Sequence, residues 1–242
     1  MSWRQEKVQS PRFTPNYFLG FKVYNPIIHQ NVKNFQQELI KNKPALYPTF
    51  IKVPKLHITL AVTYLANDNE VDRVCKLLQE WGSKNIESFV KNPVEINFKG
   101  ITLLKGRVAY LDIEQCENYG RLCDLGNEMI ELLHENGFPV DLKGGKYIPH
   151  LTIMKVRRWQ CLRDYKKDFE LLKNCDEHFG SQLVSHVQLL AMKAPKDDKG
   201  YYKCVCQIDT TDLPTPIMDH SVCCAPIPDP NEVNVYLSWR RT

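Results

Sequence analysis

The segments LHITL at residues 56–60 and PHLTI at residues 149–153 are near copies of one another. Each is a His-x-Thr sequence between apolar residues, in a stretch whose composition predicts a β-strand. Side chains at positions i and i+2 of a strand point to the same face, so each segment presents an imidazole beside a hydroxyl. Histidine can accept or donate a proton near neutral pH, and phosphodiester chemistry requires one group for each task.

The presence of two motifs carries more weight than either motif alone. A single His-x-Thr is more often an ordinary strand segment with a partly buried histidine, because threonine is favoured in strands. Two copies in separate halves of the chain predict one composite site in which His57 and His150 act as acid and base. Thr59 and Thr152 would donate hydrogen bonds to the non-bridging phosphate oxygens, where charge develops in the transition state. The sequence does not indicate which histidine is the acid.

The composition is that of an ordinary soluble globular protein. The chain has 242 residues, a formal net charge of +4 and no apolar run long enough to span a membrane, and residues 1–10 lack the apolar core of a signal peptide. Its nine cysteines are irregularly spaced, which favours reduced thiols and a cytoplasmic or nuclear location. Metal-binding motifs are not evident, so we expect neither a metal nor another cofactor.

Basic residues cluster directly after the second motif. They are Lys155, Arg157, Arg158, Arg163, Lys166 and Lys167. No lysine or arginine, by contrast, occurs between Cys204 and Trp239. Such clusters are most often the solvated face of a helix, but beside a phosphodiester site this one would also attract a polyanion.

Hydrophobic periodicity and turn residues predict strands and helices in two similar sets. The predicted strands cover residues 16–23, 57–65, 94–99, 107–113, 147–156, 183–192 and 201–208, with a turn at 143–145 before the fifth. One helix begins at Pro26 after an Asn25 cap, a second begins at Asn67, and others cover residues 117–136, ending at Gly137, and about 161–172. Because each half contains one motif strand, we expect a duplicated α+β fold with two lobes facing across a cleft.

We therefore divide the chain into three parts. Residues 1–14 form a flexible N-terminus, residues 15–208 form the two lobes, and residues 209–242 form a proline-rich extension with one terminal strand at 233–239.

The two tetrads beginning at His57 and His150 resemble the defining His-x-Thr/Ser-x tetrads of the two-histidine phosphoesterase superfamily, which includes the LigT-like proteins. The closer resemblance is to the central domain of the A-kinase anchoring protein group and to related viral 2′-5′ phosphodiesterases. It is carried by NYFL at residues 16–19, PHLTIMK at 149–155 and GYYKC at 200–204. The resemblance extends over residues 15–208.

This resemblance implies a bilobal LigT-like fold with two antiparallel sheets around a central groove and helices outside. It also implies a metal-independent phosphodiesterase that cleaves 2′-5′ oligoadenylate or short RNA, leaving a 2′,3′-cyclic phosphate and an adenine nucleotide product, and so antagonises oligoadenylate signalling. Two alternatives stay open: a nucleotide-binding module with little turnover, and an enzyme that processes RNA ends or cyclic phosphates. We expect a monomer without a kinase-anchoring helix, because prolines interrupt the chain between Pro214 and Pro230.

Further substrate-binding residues are predicted around the two motifs. Lys155 would anchor a phosphate or help hold His150 in its charge state, and the resemblance favours this role over that of a surface lysine that extends its amine into solvent. One or two of five strand aromatics would stack on a nucleobase; these are Tyr17, Phe18, Tyr147, Tyr201 and Tyr202. On a regular strand Tyr201 and Tyr202 would point to opposite faces, so only one of them would line the groove.

Overall fold

The computed structural model describes residues 13–140, 147–157 and 175–210, together with residues 165, 167–169 and 172. The strands are β1 (Tyr17–Lys22), β2 (His57–Thr63), β3 (Glu95–Leu104), β4 (Val108–Ile113), β5 (Leu151–Lys155), β6 (His178–Leu183), β7 (His186–Ala191) and β8 (Lys203–Asp209). The α-helices are α1 (Pro26–Asn42), α2 (Asp68–Lys91) and α3 (Glu117–Glu135). Short 3-10 helices at Pro44–Thr49 and Val53–Lys55 occupy part of the connection between α1 and β2.

The helix boundaries follow the local signals in the sequence. The Asn25 side chain accepts a hydrogen bond from the Ile27 N–H, and Pro26 occupies the first turn of α1. Asn67 caps α2 in the same way, accepting from the Glu70 N–H at 3.1 Å. Gly137, with φ of +81°, follows the end of α3 in the left-handed conformation that glycine adopts without strain. The predicted starts of α1 and α2 and the end of α3 are therefore confirmed.

The strands form one antiparallel sheet in the order β6-β3-β4-β5-β2-β1-β7-β8. The two motif strands, β2 and β5, are adjacent at its centre but pair only at Ile58 and Leu151. This narrow seam divides the sheet into two four-stranded halves, which correspond to the two predicted antiparallel sheets. Five strands separate β6 from β7 in the sheet, yet only Val184 and Ser185 join them in the chain. Since this link spans about 10 Å, the sheet is bent rather than flat.

Each half of the sheet contains the same unit, a strand, a helix and then a motif strand beside the first strand. The units are β1-α1-β2 and β4-α3-β5. However, β7 and β8 join the half that contains β2, whereas β3 joins the half that contains β5. The interpretation that each lobe is one half of the chain is therefore corrected: the half with β5 consists of the consecutive strands β3 to β6, and the half with β2 combines β1 and β2 with β7 and β8 from the other end of the described chain.

Both motif strands contain a β-bulge at the same place. On β2, Leu60 has no partner on β1, and on β5, Ile153 has no partner on β4. The following residues, Ala61 and Met154, are also buried in the core, so the usual alternation of faces is interrupted. As a result Lys155 emerges on the same face as the motif, although its odd spacing from the histidine would place it on the opposite face of a regular strand.

The two faces of the sheet have different surroundings. The main hydrophobic core contains Ile58 and Leu151 together with buried leucine, isoleucine, valine, methionine and tryptophan residues of the helices. A smaller cluster on the other face, which we call the motif face because His57 borders it, contains Phe18, Leu190 and Tyr201. None of the helices in the described part of the chain is both long and apolar enough to cross a membrane.

Some predictions differ from the structure or fall outside it. Strand β6 was not predicted, and Gly100, expected in the loop after the third strand, lies inside β3. The N-terminus to residue 12, the turn at 143–145, most of the helix expected at 161–172 and the terminal strand at 233–239 lie outside the described residues.

Candidate active site

The four motif residues lie together at the seam between β2 and β5. Ile58 pairs with Leu151 in antiparallel register, and both side chains are fully buried on the core side. This register sets His57 opposite Thr152 and Thr59 opposite His150, with all four side chains on the motif face. The structure thus brings two imidazoles and two hydroxyls into one patch.

Both imidazoles are oriented by the same main-chain contact. His57 Nδ1 lies 2.7 Å from the carbonyl oxygen of Lys55, and His150 Nδ1 lies 2.9 Å from that of Ile148. In each case the carbonyl belongs to the residue two positions earlier and accepts the Nδ1–H. Nε2 of each ring is therefore left for a ligand, accepting a proton when the ring is neutral and donating one when it is charged.

His57 is enclosed by aromatic rings. The ring centre of Phe18, on β1, lies 4.8 Å from the centre of the imidazole. The ring of Tyr202, just before β8, lies edge-on to the imidazole, with 5.2 Å between the ring centres. Phe18 is only 1% exposed, whereas Tyr202 is half-buried. These rings come from opposite ends of the described chain, so the enclosure exists only in the folded sheet.

This environment keeps His57 neutral. Burial lowers its pKa to about 4, against an ordinary value of 6.5. The hydrogen bond to the Lys55 carbonyl opposes this shift, and the positive charges of His150, Lys155 and Lys196 reinforce it. Lys155, which sequence reasoning assigned to the phosphate, is therefore close enough to influence the other motif, and the bulge in β5 explains its position.

His150 has a different neighbour, Tyr110, which sequence reasoning missed. Its ring lies 5.1 Å from the imidazole, and Tyr110 pairs with Thr152 across β4 and β5. Beside Tyr110 on the same face of the sheet, the Thr102 hydroxyl donates a hydrogen bond to the Asp112 carboxylate at 2.8 Å. Tyr110 lies on β4, the strand before motif strand β5, just as Phe18 lies on β1, the strand before motif strand β2. This equivalent position in the repeated unit is the signal that could have identified Tyr110.

Gly20 occupies the position on β1 that Tyr110 occupies on β4. Gly20 pairs with Thr59, as Tyr110 pairs with Thr152. A Cβ atom at Gly20 would lie 3.3 Å from the Phe18 ring and would collide with the Ile58 carbonyl oxygen. The missing side chain therefore lets β1 approach β2 closely and lets Phe18 lean toward His57.

The predicted aromatic residues divide between the two faces. Phe18, Tyr201 and Tyr202 belong to the cluster on the motif face. Tyr201 and Tyr202 both lie there because they precede β8 and do not alternate as strand residues. Tyr201 is 3% exposed, its hydroxyl donates to Gln188 Oε1, and the Lys22 amine lies 4.8 Å from its ring centre. Its ring is therefore covered, and of the pair Tyr202 is the more accessible.

Two predicted groove residues lie elsewhere. Tyr17 packs against the main core, on the opposite side of β1 from Phe18. The ring of Tyr147 packs against Gly126 of α3, where a Cβ atom would overlap it, and its hydroxyl donates to the Thr59 carbonyl oxygen at 2.8 Å. Burial raises the pKa of Tyr147. The prediction that these two rings border the groove is corrected: Tyr147 instead supports β2 from the core side.

Lys196 is a second residue that sequence reasoning missed. Its Nζ lies 3.8 Å from the ring centre of Tyr202 and donates to the Met192 carbonyl oxygen at 3.2 Å. From the predicted basic cluster, Arg157 donates to the Pro48 carbonyl oxygen at 2.9 Å, and its charge lowers the pKa that burial raises at Tyr202. Arg158, Arg163 and Lys166 lie outside the described side chains.

Metal-ligating side chains are not grouped near these residues. No set of three or more histidine, cysteine, aspartate or glutamate residues in the described ranges is arranged to hold a metal ion. Among the described residues that meet at the seam, the two imidazoles are the side chains of a type that accepts or donates a proton near neutral pH.

Known proteins resemble this chain in sequence and fold. The family described as AKAP7 2'5' RNA ligase-like domain matches residues 15–210. A-kinase anchor protein 7 isoform gamma from Homo sapiens is 26% identical over 205 residues, which cover 83% of this chain and 59% of that protein. The chain therefore spans less than two thirds of the length of this relative.

Solved structures share the fold at low sequence identity. E. coli LigT complexed with 3'-AMP superposes with a TM-score of 0.54 and 14% identity, covering 82% of this chain and 99% of LigT. TT0787 of Thermus thermophilus gives a TM-score of 0.53 at 15% identity, covering 82% and 100%. This likeness confirms the predicted LigT-like fold. The chain belongs to the family of AKAP7 2'5' RNA ligase-like domains.

Proposed function

We propose that this protein is a metal-independent phosphodiesterase that cleaves 2′-5′ oligoadenylate or a related oligoribonucleotide at the seam between β2 and β5. The observation that carries the proposal is the matched pair of imidazoles. His57 and His150 each bind a main-chain carbonyl through Nδ1, and each lies opposite the threonine of the other motif. Such a pair can hold a phosphate between two Nε2 atoms.

The reaction follows from this arrangement. The free 3′-hydroxyl attacks the phosphorus on the neighbouring 2′-oxygen while one imidazole takes the hydroxyl proton. The bond from phosphorus to the 5′-oxygen breaks, and the other imidazole gives that oxygen a proton. The products are a 2′,3′-cyclic phosphate and a free 5′-hydroxyl. Thr59 and Thr152 donate to the non-bridging oxygens as charge develops on them.

We assign the base to His57 and the acid to His150. His57 is enclosed by Phe18 and Tyr202, and its lowered pKa keeps it neutral at pH 7, as a proton acceptor must be. His150 lies at the more open side of the seam, beside Tyr110 and the exposed Ile148. With His57 as the base, the proposal leaves His150 to donate the proton to the 5′-oxygen.

Adenine nucleotides are the substrate class that we expect at this site. Phe18 and Tyr202 border His57 and supply aromatic surface for a nucleobase, and Tyr202 is the more exposed of the two rings. The structure of E. coli LigT with 3'-AMP supports an adenine nucleotide as ligand or product. Lys155 would provide charge for the substrate phosphates. Antagonism of oligoadenylate signalling would follow from cleavage of this substrate.

A cytoplasmic or nuclear location is also part of this proposal. All six cysteines among the described residues are free thiols, which supports a reducing compartment.

A cleavage assay tests the reaction. The protein is incubated in EDTA with 2′-5′ and 3′-5′ linked triadenylates, and the products are identified by mass spectrometry. We expect cyclic-phosphate products and a loss of about 10²–10⁴-fold in rate for His57→Ala and His150→Ala. His134→Ala, which replaces an exposed histidine on α3, is the matched control. Unchanged rates in both motif variants, or tight nucleotide binding without cleavage, would refute the enzymatic proposal.

A substrate with a sulfur leaving atom tests the assignment of roles. Thiolate leaves without a proton, so replacing the bridging 5′-oxygen by sulfur removes the need for the acid but not for the base. His150→Ala should regain most of its lost rate on this substrate, and His57→Ala should not. The reverse pattern would exchange the two roles.

A further inference from the structure

We propose that Lys196 and Tyr202 form a second phosphate subsite, which recognises the phosphate next to the scissile one in an oligonucleotide. This inference rests on the proposed function, because it takes the scissile phosphate to lie between His57 and His150. It adds a requirement that the two motifs do not impose: the preferred substrate carries at least two phosphates separated by one ribose.

The position of Lys196 is fixed by the turn that joins β7 to β8. The Asp197 carboxylate accepts hydrogen bonds from the Lys199 N–H at 3.1 Å and the Tyr201 N–H at 2.7 Å. The Asp197 N–H donates to the Tyr201 carbonyl oxygen at 3.0 Å, and the Gly200 N–H donates to that of Asp197 at 2.8 Å. These bonds close the turn on both sides, so Lys196 and Tyr202 are presented by an ordered scaffold.

Among the residues that the structure describes, the contacts of the Lys196 ammonium group occupy two of its donors and leave one for a ligand. An ammonium has three N–H donors. One points to the Met192 carbonyl oxygen at 3.2 Å, and the group also faces the Tyr202 ring at 3.8 Å from its centre. A lysine held against a ring in this way loses little further freedom when it binds an anion, because its side chain is already ordered.

Positive charge at this place is not balanced by neighbouring carboxylates. Within the part of the chain that the structure describes, no carboxylate lies within ion-pair distance of Lys55, Lys155 or Lys196. Burial lowers the pKa of Lys196, and the charge of Lys55 lowers it further. A cluster of like charges beside a phosphodiester site is relieved when an anion binds, and it attracts polyanionic substrates.

Tyr202 contacts both groups. Its ring centre lies 5.2 Å from that of the His57 imidazole, in an edge-on arrangement, and 3.8 Å from the Lys196 amine. The charge of Lys196 also lowers the pKa of His57, so the two groups are near one another. The proposal places the scissile phosphate at His57 Nε2 and the next phosphate of the same oligonucleotide at Lys196 Nζ. The ring itself offers a surface for the intervening nucleoside.

Binding of small nucleotides tests this subsite without cleavage. Adenosine 2′,5′-bisphosphate carries two phosphates across one ribose, and 2′-AMP and 5′-AMP each carry one of them. By isothermal titration calorimetry we expect the bisphosphate to bind the unmodified protein about tenfold more tightly than either monophosphate. Lys196→Gln should abolish this advantage while leaving the affinity for the monophosphates unchanged. Lys196→Arg should retain it.

Lys199→Gln is the matched control, since Lys199 is an exposed lysine of the same turn. It should bind all three nucleotides as the unmodified protein does. If Lys196→Gln weakens the binding of the bisphosphate and the monophosphates equally, Lys196 would lie at the scissile phosphate, and the proposal would be overturned. Equal binding of all three by the unmodified protein would overturn it too, with the proposed function intact. Failure of every nucleotide to bind would overturn both.

Two oligonucleotide substrates distinguish whether the second phosphate is a terminal phosphate or the next internucleotide phosphate. If it is a terminal phosphate, 5′-phosphorylated 2′-5′ diadenylate should be cleaved about tenfold more efficiently than the unphosphorylated dimer. If it is the next internucleotide phosphate, the unphosphorylated trimer should show that advantage. In either case Lys196→Gln should remove it, and an advantage that survives this substitution would refute the subsite.

Discussion

Removal of the Tyr202 ring should move the acid limb of the pH–rate profile toward neutral pH. Burial is the largest cause of the low pKa of His57, and the Tyr202 ring 5.2 Å away is the half-buried part of its enclosure. A base must be neutral to act, so kcat/KM falls as the pH falls through the pKa of the free enzyme's base. In the unmodified protein this limb should lie near pH 4.

Tyr202→Ala admits water to the imidazole and should raise the pKa of His57 from about 4 part of the way to 6.5, by about one pH unit. The acid limb should move by the same amount, whatever the substitution does to kcat/KM at its plateau. Tyr202→Phe retains the ring and is the control, in which the limb should not move. The pKa itself is measured from the pH dependence of the His57 Cε1–H resonance. A limb that stays near pH 4 in Tyr202→Ala, or a His57 resonance that titrates near 6.5 in the unmodified protein, would refute this account.

Three further predictions concern the framework of the site. Gly20→Ala should destabilise the fold by about 1–3 kcal/mol in urea unfolding and lower kcat, because its Cβ displaces the carbonyl of the motif strand; unchanged stability would show that β1 and β2 separate freely. Tyr147→Phe should lower the free energy of unfolding by about 1–2 kcal/mol, because the part-buried carbonyl of Thr59 loses its 2.8 Å hydrogen bond; an unaltered urea midpoint would contradict this contact. Burial lowers the pKa of His186 to about 4 in the folded protein, against 6.5 in the unfolded chain. As the pH falls below 6.5, this imidazole becomes protonated in the unfolded chain but not in the folded one, so the free energy of unfolding decreases. Between pH 7 and pH 4.5, the free energy of unfolding of His186→Gln should therefore decrease by about 2 kcal/mol less than that of the unmodified protein. Equal decreases would exclude His186 as a cause.

The structure agrees with sequence reasoning where the signal is local. The caps at Asn25 and Asn67 and the stop at Gly137 act through residues within one turn of the helix. The motif strand β2 was predicted closely, since alternation of apolar residues marks it. Strand β6 was missed because Gly180 and polar residues interrupt its pattern, and only its partner β3 makes it a strand.

For the residues around the two histidines, the sequence prediction was likewise correct only in part. Phe18 and Tyr202 were among the predicted aromatics, but Tyr17 and Tyr147 turn to the core, and Tyr110 and Lys196 were absent from the prediction. Which face a side chain takes depends on bulges and on strand partners far away in the chain, such as the pairing of Tyr110 with Thr152. A single sequence does not encode these registers in any short window.

The sequence by itself determined the two His-x-Thr motifs, the strands that carry them and the chemistry that the paired histidines can perform, because these depend on residue type and on periodicity of two. The tertiary structure decided which strands complete each half of the sheet, which face Lys155 takes and which aromatic rings enclose His57. The last point depends on burial: the rings around His57 come from β1 and from the turn before β8, and only the folded sheet brings them together. The near-symmetry of the two motifs is thus a property of the sequence, whereas the asymmetry on which we base the proposed assignment of base and acid arises from packing.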